Sequence, residues 1–462
     1  MGKFVELDTF YGRKQKAFRF EADIFDCDVE GEIPAGLNGS LYRLGPDTAY
    51  PTLPGDVTLN GDGMISMFRF EDGHVDFRCR YVKTDRFLAE RAARRRLYGK
   101  YRNPYTDAPE APVQNRDNTG NTAAFFHNGR LYALREDSHP YEIDPETLDT
   151  LGIADFPGMA SKTMTAHPKI DPDTGEWWSY GLFADRRFDG DMALQVMDRS
   201  GKLVREEAFQ APYPGVCHDF AVTQDHVIFP IMPMTVNLER LKAGGDFYAY
   251  DPGLPPAWGI MPKRGTVKDM RWFEVPRAFA GHIMNAYTEG DVVHVDASIS
   301  PGNPFTFFKD VHGQVTDPAE GGALISRVSF DLSSRNDNVS VEPFPGAIGE
   351  MPRCDDRFQS KPYRYGFHKT PGGVARLDWR TKERIVHPTP DCPPGTQEPI
   401  LVPRSSDAPE GDGWLLALVN RFSENRADLL VIDAQTMAAP PVAIVRLPFN
   451  QPMAFHGVFV GA

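Results

Sequence analysis

Four histidines stand in sequence surroundings that suit metal ligands. Each begins or lies within a segment of apolar and small residues: His167 in TAHPKI, His218 in VCHDFA, His282 in AGHIMN and His456 in AFHGVF. Because 51, 64 and 174 residues separate them, no two can be neighbours on one helix. Neutral imidazoles bind iron, copper, nickel and zinc. Because these ligands carry no charge, a divalent ion held by four of them keeps its full charge of +2. The other eight of the twelve histidines are interpreted as ordinary buried or surface residues.

Ligands this far apart in the chain must be brought together by the fold, and the sequence predicts a fold built of strands. Apolar and polar residues alternate in short runs that are rich in β-branched and aromatic side chains. The predicted strands are 64–70, 130–135, 177–183, 226–232, 292–298, 324–332, 414–419, 428–433 and 442–447. Turns rich in Gly, Asp, Asn and Pro separate them.

The spacing of these strands favours one architecture. Segments 128–152 and 412–437 resemble each other: each has a turn, a strand, a second strand ending in Ile-Asp and a loop containing Thr. Units at a spacing of ~40–65 residues are typical of a β-propeller, in which neighbouring four-stranded blades cover one another. Residues on different blades then converge on the central axis. A sandwich or a barrel is the less usual alternative for a chain of this size.

Two segments interrupt the strand pattern. Residues 84–101 are rich in Ala, Arg and Leu behind a Thr-Asp start, which predicts a helix. Residues 234–276 combine turns and aromatic residues with a helical start at 236–242. We expect insertions outside the blades at about 84–115 and 234–276. No linker-like run divides the chain, so we predict a single domain over residues 1–462.

Composition excludes several classes of protein. The chain has 50 Lys and Arg against 64 Asp and Glu, a net charge of −14, so it lacks the basic surface of a nucleic-acid-binding protein. Its longest clean apolar stretch, 414–419, is far shorter than the ~20 residues of a membrane-spanning helix. No secretory signal is visible, and the five scattered cysteines form no CxxC pair. We predict a cytoplasmic protein, and a peripheral membrane contact through the arginines of 84–101 stays open.

Nine short motifs, in this order along the chain, resemble those of the carotenoid cleavage oxygenases. They are LYRLGPD (41–47), NGDGMI (60–65), NTAAFFHNGRLYALRED (121–137), MTAHPKIDP (164–172), CHDF (217–220), GHIMNAY (281–287), EMPR (350–353), EPILVPR (398–404) and FHGVFV (455–460). The resemblance runs from about residue 32 to the C-terminus. It implies an all-β fold, a seven-bladed β-propeller capped by a dome of helices and loops. It also implies that His167, His218, His282 and His456 hold Fe(2+) on the axis, and that O2 splits an activated C=C bond into two carbonyl products.

The resemblance also assigns residues around the metal. A metal-bound imidazole needs an acceptor for its second ring N–H, which fixes its tautomer and its aim. The family uses glutamates for three of its histidines, and Glu136, Glu350 and Glu398 match those positions. Thr122 matches a threonine whose methyl group partly shields one open position on the iron.

Within the family, the chain looks most like the lignostilbene dioxygenases. Those enzymes hold the 4-hydroxyl of a phenolic stilbene with a Lys and a Tyr, and the matching residues here are Arg135 and Tyr101. A cation and a phenol at this place would favour the ionised form of the substrate phenol. Leu59 stands where that branch tends to have an aromatic pocket wall. Phe305, Phe307 and Phe308 are predicted to stack on substrate rings, with ordinary loop packing as the alternative.

These observations lead to one main hypothesis and three others. The first is an iron(II) dioxygenase that cleaves the central double bond of a lignin-derived 4-hydroxystilbene into two aromatic aldehydes. The second keeps this chemistry and moves it to an apocarotenoid or another phenylpropanoid alkene. A non-catalytic propeller that binds partners on its rim, and a calcium-dependent lactonase, are the remaining readings. The expected partners are a small phenolic alkene and O2, and a homodimer stays open.

Overall fold

The computed structural model describes residues 4, 7–8, 14–186, 188–334, 338–389 and 395–462. In this part of the chain the secondary structure is mostly strand, and strands that follow one another usually pair antiparallel. The sheets divide into seven successive units, which we label A to G. Each predicted strand lies within or overlaps a strand of these units. The prediction of a mostly β fold is therefore confirmed.

Units A and B form one continuous sheet. Unit A contains His456–Gly461, Gly39–Asp47, Asp62–Glu71, His74–Tyr81 and Ala22–Ile24, in that spatial order. Unit B contains Ala123–His127, Arg130–Leu134, Tyr141–Ile143 and Thr150–Ile153. A single parallel pair, His456 with Ala123, joins the two units. The C-terminal strand thus lies between two units that come from the N-terminal part of the chain.

The other five units follow one another along the chain. In each of them, the strand named first is the one that comes directly after the preceding unit in the sequence. Units C and D are Lys169–Ile170, Trp177–Leu182, Asp191–Met197 and Leu203–Gln210, then Ala221–Val222, His226–Ile231, Ala257–Pro262 and Arg271–Glu274. Units E and F are Phe279–Glu289, Val292–Ser300, Leu324–Asp331 and Val339–Ile348, then Glu350–Cys354, Tyr365–Thr370, Gly373–Asp378 and Glu383–Pro388. Unit G is Ile400–Pro403, Gly413–Arg421, Arg426–Asp433 and Ala443–Leu447, completed by Asp28–Gly31 from near the N-terminus.

Each unit packs on the next one. Phe125 of unit B lies 4.7 Å from Trp177 of unit C, and Phe330 of unit E lies 5.5 Å from Trp258 of unit D, measured between ring centroids. Apolar clusters join units A and B, F and G, and G and A in the same way. The units therefore follow one another in a closed circle. Middle strands are covered on both faces, which explains why Trp177–Leu182 and Asp191–Met197 are buried throughout while Leu203–Gln210 is only partly covered.

The predicted helix at 84–101 is half as long as expected. The α-helix spans Asp85–Ala93 and starts at Thr84, whose side chain accepts a hydrogen bond from the Phe87 N–H. It ends because Arg94 takes a left-handed conformation, with φ of 54°. The buried carboxylate of Glu90 then accepts hydrogen bonds from two backbone N–H groups of the following turn, which folds the chain back on the helix. Other helical pieces in the described residues are Leu238–Lys242 and Pro318–Gly321, and the 3-10 turns Thr58–Asn60, Pro104–Thr106, Val267–Asp269 and Asp356–Phe358.

The predicted insertion at 234–276 extends too far towards the C-terminus, because its last part belongs to a sheet. Residues 234–256 do lie outside the units, as a hairpin of Met234–Val236 and Tyr248–Tyr250 around the short helix. The strands Ala257–Pro262 and Arg271–Glu274, however, belong to unit D, where the first pairs with His226–Ile231. Leu7–Asp8 and Lys14–Gln15 form a further two-stranded pair. None of the helices in the described ranges has the length and apolar character to cross a membrane.

Candidate metal centre and substrate cavity

Each of the four predicted ligands lies in the first strand of a unit or in the turn just before it. His282 is within Phe279–Glu289, and His456 begins His456–Gly461. His167 and His218 lie in the turns that lead into the first strands of units C and D. Around His282 the strand pairing shifts register between Ala280 and Ile283, a bulge that can re-aim a side chain out of the regular pleat.

The structure brings these four imidazoles together. Their possible ligand atoms all lie within 4.8 Å of one another. Ring centroids are 4.5 Å apart for His167 and His456, and 5.1 Å apart for His167 and His282. The Nε2 atoms of His218 and His282 are 3.0 Å apart. A cluster this tight from segments up to 289 residues apart is the geometry of a four-coordinate metal site with room left for other ligands.

Three carboxylates hold the outer ring nitrogens. The His218 Nδ1 lies 2.8 Å from Glu136 Oε1, and the His282 Nδ1 lies 2.6 Å from Glu350 Oε2. The His456 Nδ1 lies 2.9 Å from Glu398 Oε1. These are the three glutamates that the resemblance assigned to this position.

These contacts test whether the residues fit a metal ion. An Nδ1 beside a carboxylate donates its proton, so the Nε2 atoms of His218, His282 and His456 each present a lone pair to the centre. Two such lone pairs 3.0 Å apart repel each other unless a cation lies between them. His167 Nε2 is likewise buried and has no hydrogen-bond partner. The four histidines therefore fit a divalent transition metal.

The titration behaviour of the cluster agrees with this role. Burial and the three neighbouring imidazoles hold the pKa of His167 well below its usual value, and burial lowers the pKa of His456 to about 4. Burial alone would raise the pKa of Glu350, but His282 and Ser298 bring it down to about 2. The His282 pKa is raised, because Glu350 outweighs the effect of burial. At neutral pH the glutamates are thus ionised acceptors, and His167 and His456 are neutral ligands.

One largely apolar cavity opens onto the cluster. Its empty space is about 670 Å³ including the mouth, and His218, His282 and His456 lie in its wall. Most of the predicted pocket residues line it: Leu59, Tyr101, Thr122, Arg135 and Phe305. Phe308, predicted together with Phe305 to stack on substrate rings, also lines the cavity. Phe307, the third phenylalanine of that prediction, is not in the cavity wall and packs on Phe308 at 4.8 Å between ring centroids.

Arg135 and Tyr101 lie together at one end of this cavity. Arg135 is 2% exposed, so it is not a solvated residue at a strand end. Its Nη1 donates hydrogen bonds to Asn121 Oδ1 at 2.7 Å and to the Leu59 carbonyl at 3.1 Å. The guanidinium carbon lies 5.1 Å from the centre of the Tyr101 ring.

The cations beside Tyr101 already have anionic partners. Arg135 and Arg102 are both paired with Asp137, at 3.4 Å and 2.5 Å, and Arg102 also pairs with Glu136. Burial raises the pKa of Tyr101 to about 12, even with both arginines beside it. The Tyr101 phenol keeps its proton because desolvation outweighs the effect of cations that already have anionic partners.

Sequence reasoning missed Arg102 and Tyr248. The Arg102 side chain is buried and joins the Glu136 carboxylate to the Tyr248 hydroxyl, at 2.8 Å and 3.0 Å. Tyr248 lines the cavity. Arg102 follows the assigned Tyr101 directly, but adjacency in a loop gives no sign of which carboxylate a guanidinium contacts. Tyr248 lies in the hairpin that the sequence predicted only as part of an insertion.

Comparison with known proteins covers nearly the whole chain. The isoeugenol monooxygenase of Pseudomonas putida is 42% identical over 457 residues, 95% of each chain. Lignostilbene-α,β-dioxygenase isozyme III of Sphingomonas paucimobilis is 38% identical, over 97% of this chain and 96% of that one. The crystal structure of Pseudomonas brassicacearum lignostilbene dioxygenase has a TM-score of 0.93 at 39% identity and covers 97% of both chains.

The family assignment rests on these relatives and on a family model. Residues 15–461 match the model for RPE65, retinal pigment epithelial membrane protein. This range contains all four clustered histidines and the three glutamates that hold them. The protein therefore belongs to the carotenoid cleavage oxygenase family and is an alkene-cleaving oxygenase with a four-histidine metal site.

Proposed function

We propose that the protein is a non-haem iron(II) dioxygenase that cleaves the central C=C bond of a lignin-derived 4-hydroxystilbene into two aromatic aldehydes. The observation that carries this proposal is that Tyr101 and Arg135 line the same cavity as His218, His282 and His456. A cavity with apolar walls and a few polar groups at one end suits a phenol joined to an alkene. The phenolic end would lie at Tyr101 and the alkene at the metal.

The four imidazoles would hold Fe(2+), with Glu136, Glu350 and Glu398 fixing the tautomers of three of them. When bound, the iron supplies the redox chemistry that allows O2 to react with the alkene. Each alkene carbon ends as a carbonyl with one oxygen atom from O2, so the reaction balances without an external reductant. The Thr122 hydroxyl donates to Asn121 Oδ1 at 3.1 Å, and we propose that its methyl group partly shields one open metal position.

The chain's own residues would bind and orient the substrate. Tyr101 offers a hydroxyl to a phenolic oxygen, and Arg135, whose Nη1 protons are donated to Asn121 and Leu59, would donate to it through Nη2. The rings of Phe305 and Phe308 offer apolar faces along the cavity. Because the local charges are already paired, we propose that the substrate binds as a neutral phenol.

For the fold, we propose that units A to G are the blades of a seven-bladed β-propeller, with the four histidines on its axis. The closed circle of packed units supports this, as does the position of each histidine in or just before the first strand of its unit. The segments 84–115 and 234–256 would form the dome over the metal site, since Tyr101 and Tyr248 from them line the cavity.

We also propose a cytoplasmic location. Among the described residues, Cys27, Cys79, Cys217 and Cys354 are free and buried, which suits a reducing compartment. Cys392 lies outside the described residues.

A second candidate substrate is a propenylphenol, the other phenylpropanoid alkene of the second hypothesis. Two relatives named isoeugenol monooxygenase, from Pseudomonas putida and Pseudomonas nitroreducens, are 42% and 40% identical to this chain. Such a substrate has the same 4-hydroxyphenyl end and carries a methyl group in place of the second ring. The polar groups of Tyr101 and Arg135 in the cavity wall suit a phenolic ring better than the polyene of an apocarotenoid.

An aerobic assay tests the proposal. Iron-loaded protein is given 4-hydroxystilbene, isoeugenol or an apocarotenoid, and O2 uptake and product masses are recorded, with His218→Ala as the control without an intact metal site. We expect one aromatic aldehyde for each half of 4-hydroxystilbene and no turnover by the control. A fully iron-loaded protein that leaves every 4-hydroxystilbene intact would refute the stilbene assignment, and cleavage of isoeugenol alone would establish the second candidate.

A further inference from the structure

A chain of hydrogen bonds runs from the phenolic end of the cavity to the metal cluster. The Tyr248 hydroxyl accepts from Arg102 Nη1 at 3.0 Å, and Arg102 Nη2 donates to Glu136 Oε2 at 2.8 Å. The other oxygen of the same carboxylate accepts from His218 Nδ1 at 2.8 Å. Three residues thus connect the cavity wall to one metal ligand without a gap.

On this basis, and resting on the proposed phenolic substrate, we propose a role for Tyr248 and for Arg102. Tyr248 donates a hydrogen bond to an oxygen substituent on the substrate ring. Arg102 is a positioning residue, which fixes that hydroxyl relative to the Glu136–His218 pair.

The contacts of Tyr248 leave its proton available. A phenol hydroxyl has one proton to donate and accepts through its lone pairs, and a guanidinium only donates. In the contact with Arg102 the Tyr248 oxygen is therefore the acceptor, and its own O–H is free to point to a ligand in the cavity that it lines. Burial raises the pKa of Tyr248, so the donor proton is retained at neutral pH.

Tyr248 and Tyr101 face the same part of the cavity. The Phe308 ring lies 5.9 Å from the Tyr248 ring and 6.0 Å from the Tyr101 ring. The Arg102 guanidinium carbon lies 5.0 Å from the Tyr101 ring centre and 5.8 Å from that of Tyr248. A phenol oxygen that reaches Tyr101 is thus also within the surroundings of Tyr248, and its lone pairs can accept from both hydroxyls.

Arg102 is held by the structure in a way that favours a positioning role. Its backbone φ is 52°, a left-handed conformation that a residue with a Cβ rarely adopts. Its side chain is 5% exposed, and its remaining donor, Nε, contacts Asp137 Oδ2 at 2.5 Å. With donors fixed on three partners, the guanidinium cannot rotate without breaking charge-assisted hydrogen bonds. It therefore sets the direction of both the Tyr248 hydroxyl and the Glu136 carboxylate.

The test measures binding and spectra of Co(II)-loaded protein, so it does not depend on turnover. The probes are 4-hydroxybibenzyl, which has no C=C bond to cleave, and bibenzyl, which lacks the hydroxyl. Tyr248→Phe should weaken 4-hydroxybibenzyl binding about tenfold, the effect of one lost hydrogen bond, and leave bibenzyl binding unchanged. The matched control is Tyr250→Phe, in the same strand but on an outer groove away from the cavity, which should bind both probes as the parent protein does.

The positioning role of Arg102 is tested by the visible absorption band of Co(II)-loaded protein to which no probe has been added. Arg102→Met should shift this band, because Glu136 loses its charged donor and its hydrogen bond to His218 changes; Arg102→Lys, which keeps a cation, should shift it less. If Arg102→Met does not fold, Arg102→Lys by itself decides whether Arg102 positions Glu136. A cobalt band identical to that of the parent protein overturns the positioning role.

Equal weakening of both probes by Tyr248→Phe, or no weakening, overturns the contact with the ring oxygen. If the parent protein binds neither probe, the proposed phenolic substrate fails and the Tyr248 contact fails with it. The cobalt band of the Arg102 variants still decides the positioning role in that case, so the two failures are distinguishable.

Discussion

Glu350→Gln should weaken metal binding, and the structure shows why a change of one atom has this effect. Glu350 Oε2 accepts from His282 Nδ1 at 2.6 Å and also from the Met351 N–H, and Oε1 accepts from the Ser298 hydroxyl at 2.5 Å. The backbone N–H of His282 also donates to Oε1, at 3.3 Å. All four groups around this carboxylate are donors in the present arrangement.

Glutamine has the same shape but is uncharged and replaces one acceptor oxygen with an NH2 donor. Even with this NH2 turned to the Ser298 hydroxyl, which can also accept, the His282 Nδ1–H then donates to a neutral amide instead of a carboxylate. Losing one charge-assisted hydrogen bond costs about 1.5–3 kcal/mol. That corresponds to a loss of about 10–100-fold in metal affinity, the range found when a partner of a metal-bound histidine is removed. The affinity is the relevant quantity because His282 must hold its Nε2 lone pair towards the metal.

The assay is competition for Fe(2+) or Co(2+) between the protein and a chelator of known affinity. The matched control is Glu342→Gln, an exposed carboxylate paired with Lys382 on the surface of unit E, and it should bind metal as the parent protein does. Thermal unfolding of the metal-free proteins checks that the fold is intact. Metal affinity equal to that of the parent protein, with an unchanged fold, would refute the inference that Glu350 aims His282.

Three further results are expected. Arg135→Ala should slow cleavage of 4-hydroxylated substrates about tenfold more than cleavage of their methyl ethers, measured as kcat/KM, because the guanidinium lines the phenolic end; an equal loss on both would place Arg135 away from the phenol. Phe305→Ala should raise KM while Phe307→Ala should not, since only the first lines the cavity; the reverse order would contradict the observed turn. Thr84→Ala should lower the free energy of unfolding by about 1 kcal/mol through loss of the helix cap, measured by urea denaturation, and an unchanged midpoint would count against that cap.

The strands and the metal ligands could be predicted because their signals are local. Strands covered on both faces are rich in apolar, β-branched and aromatic residues, so 177–183 and 226–232 carry the signal in their own residues. His167 and His456 lie in motifs whose small and apolar residues accompany an inner strand. The motifs around Glu350 and Glu398 identified the carboxylates in the same way.

Other features depended on contacts that no local pattern encodes. The helix at Asp85–Ala93 ends early because the Glu90 carboxylate binds backbone N–H groups of the next turn. Ala257–Pro262 belongs to a sheet only because His226–Ile231 offers its edge. The conformation of the turn at 303–308 decides that Phe305 and Phe308, but not Phe307, line the cavity.

The sequence by itself determined the strand-rich fold class, the four metal-binding histidines and the carboxylates matched to them, because each is written in short segments with a characteristic composition. Only the tertiary structure decided how charges meet in the cavity. The Arg102 contacts to Glu136 and Tyr248 join positions 34 and 146 residues away. The balance between burial and paired charge, which keeps the Tyr101 phenol protonated, depends on those distances and on the exclusion of water, and neither is a property of any one segment.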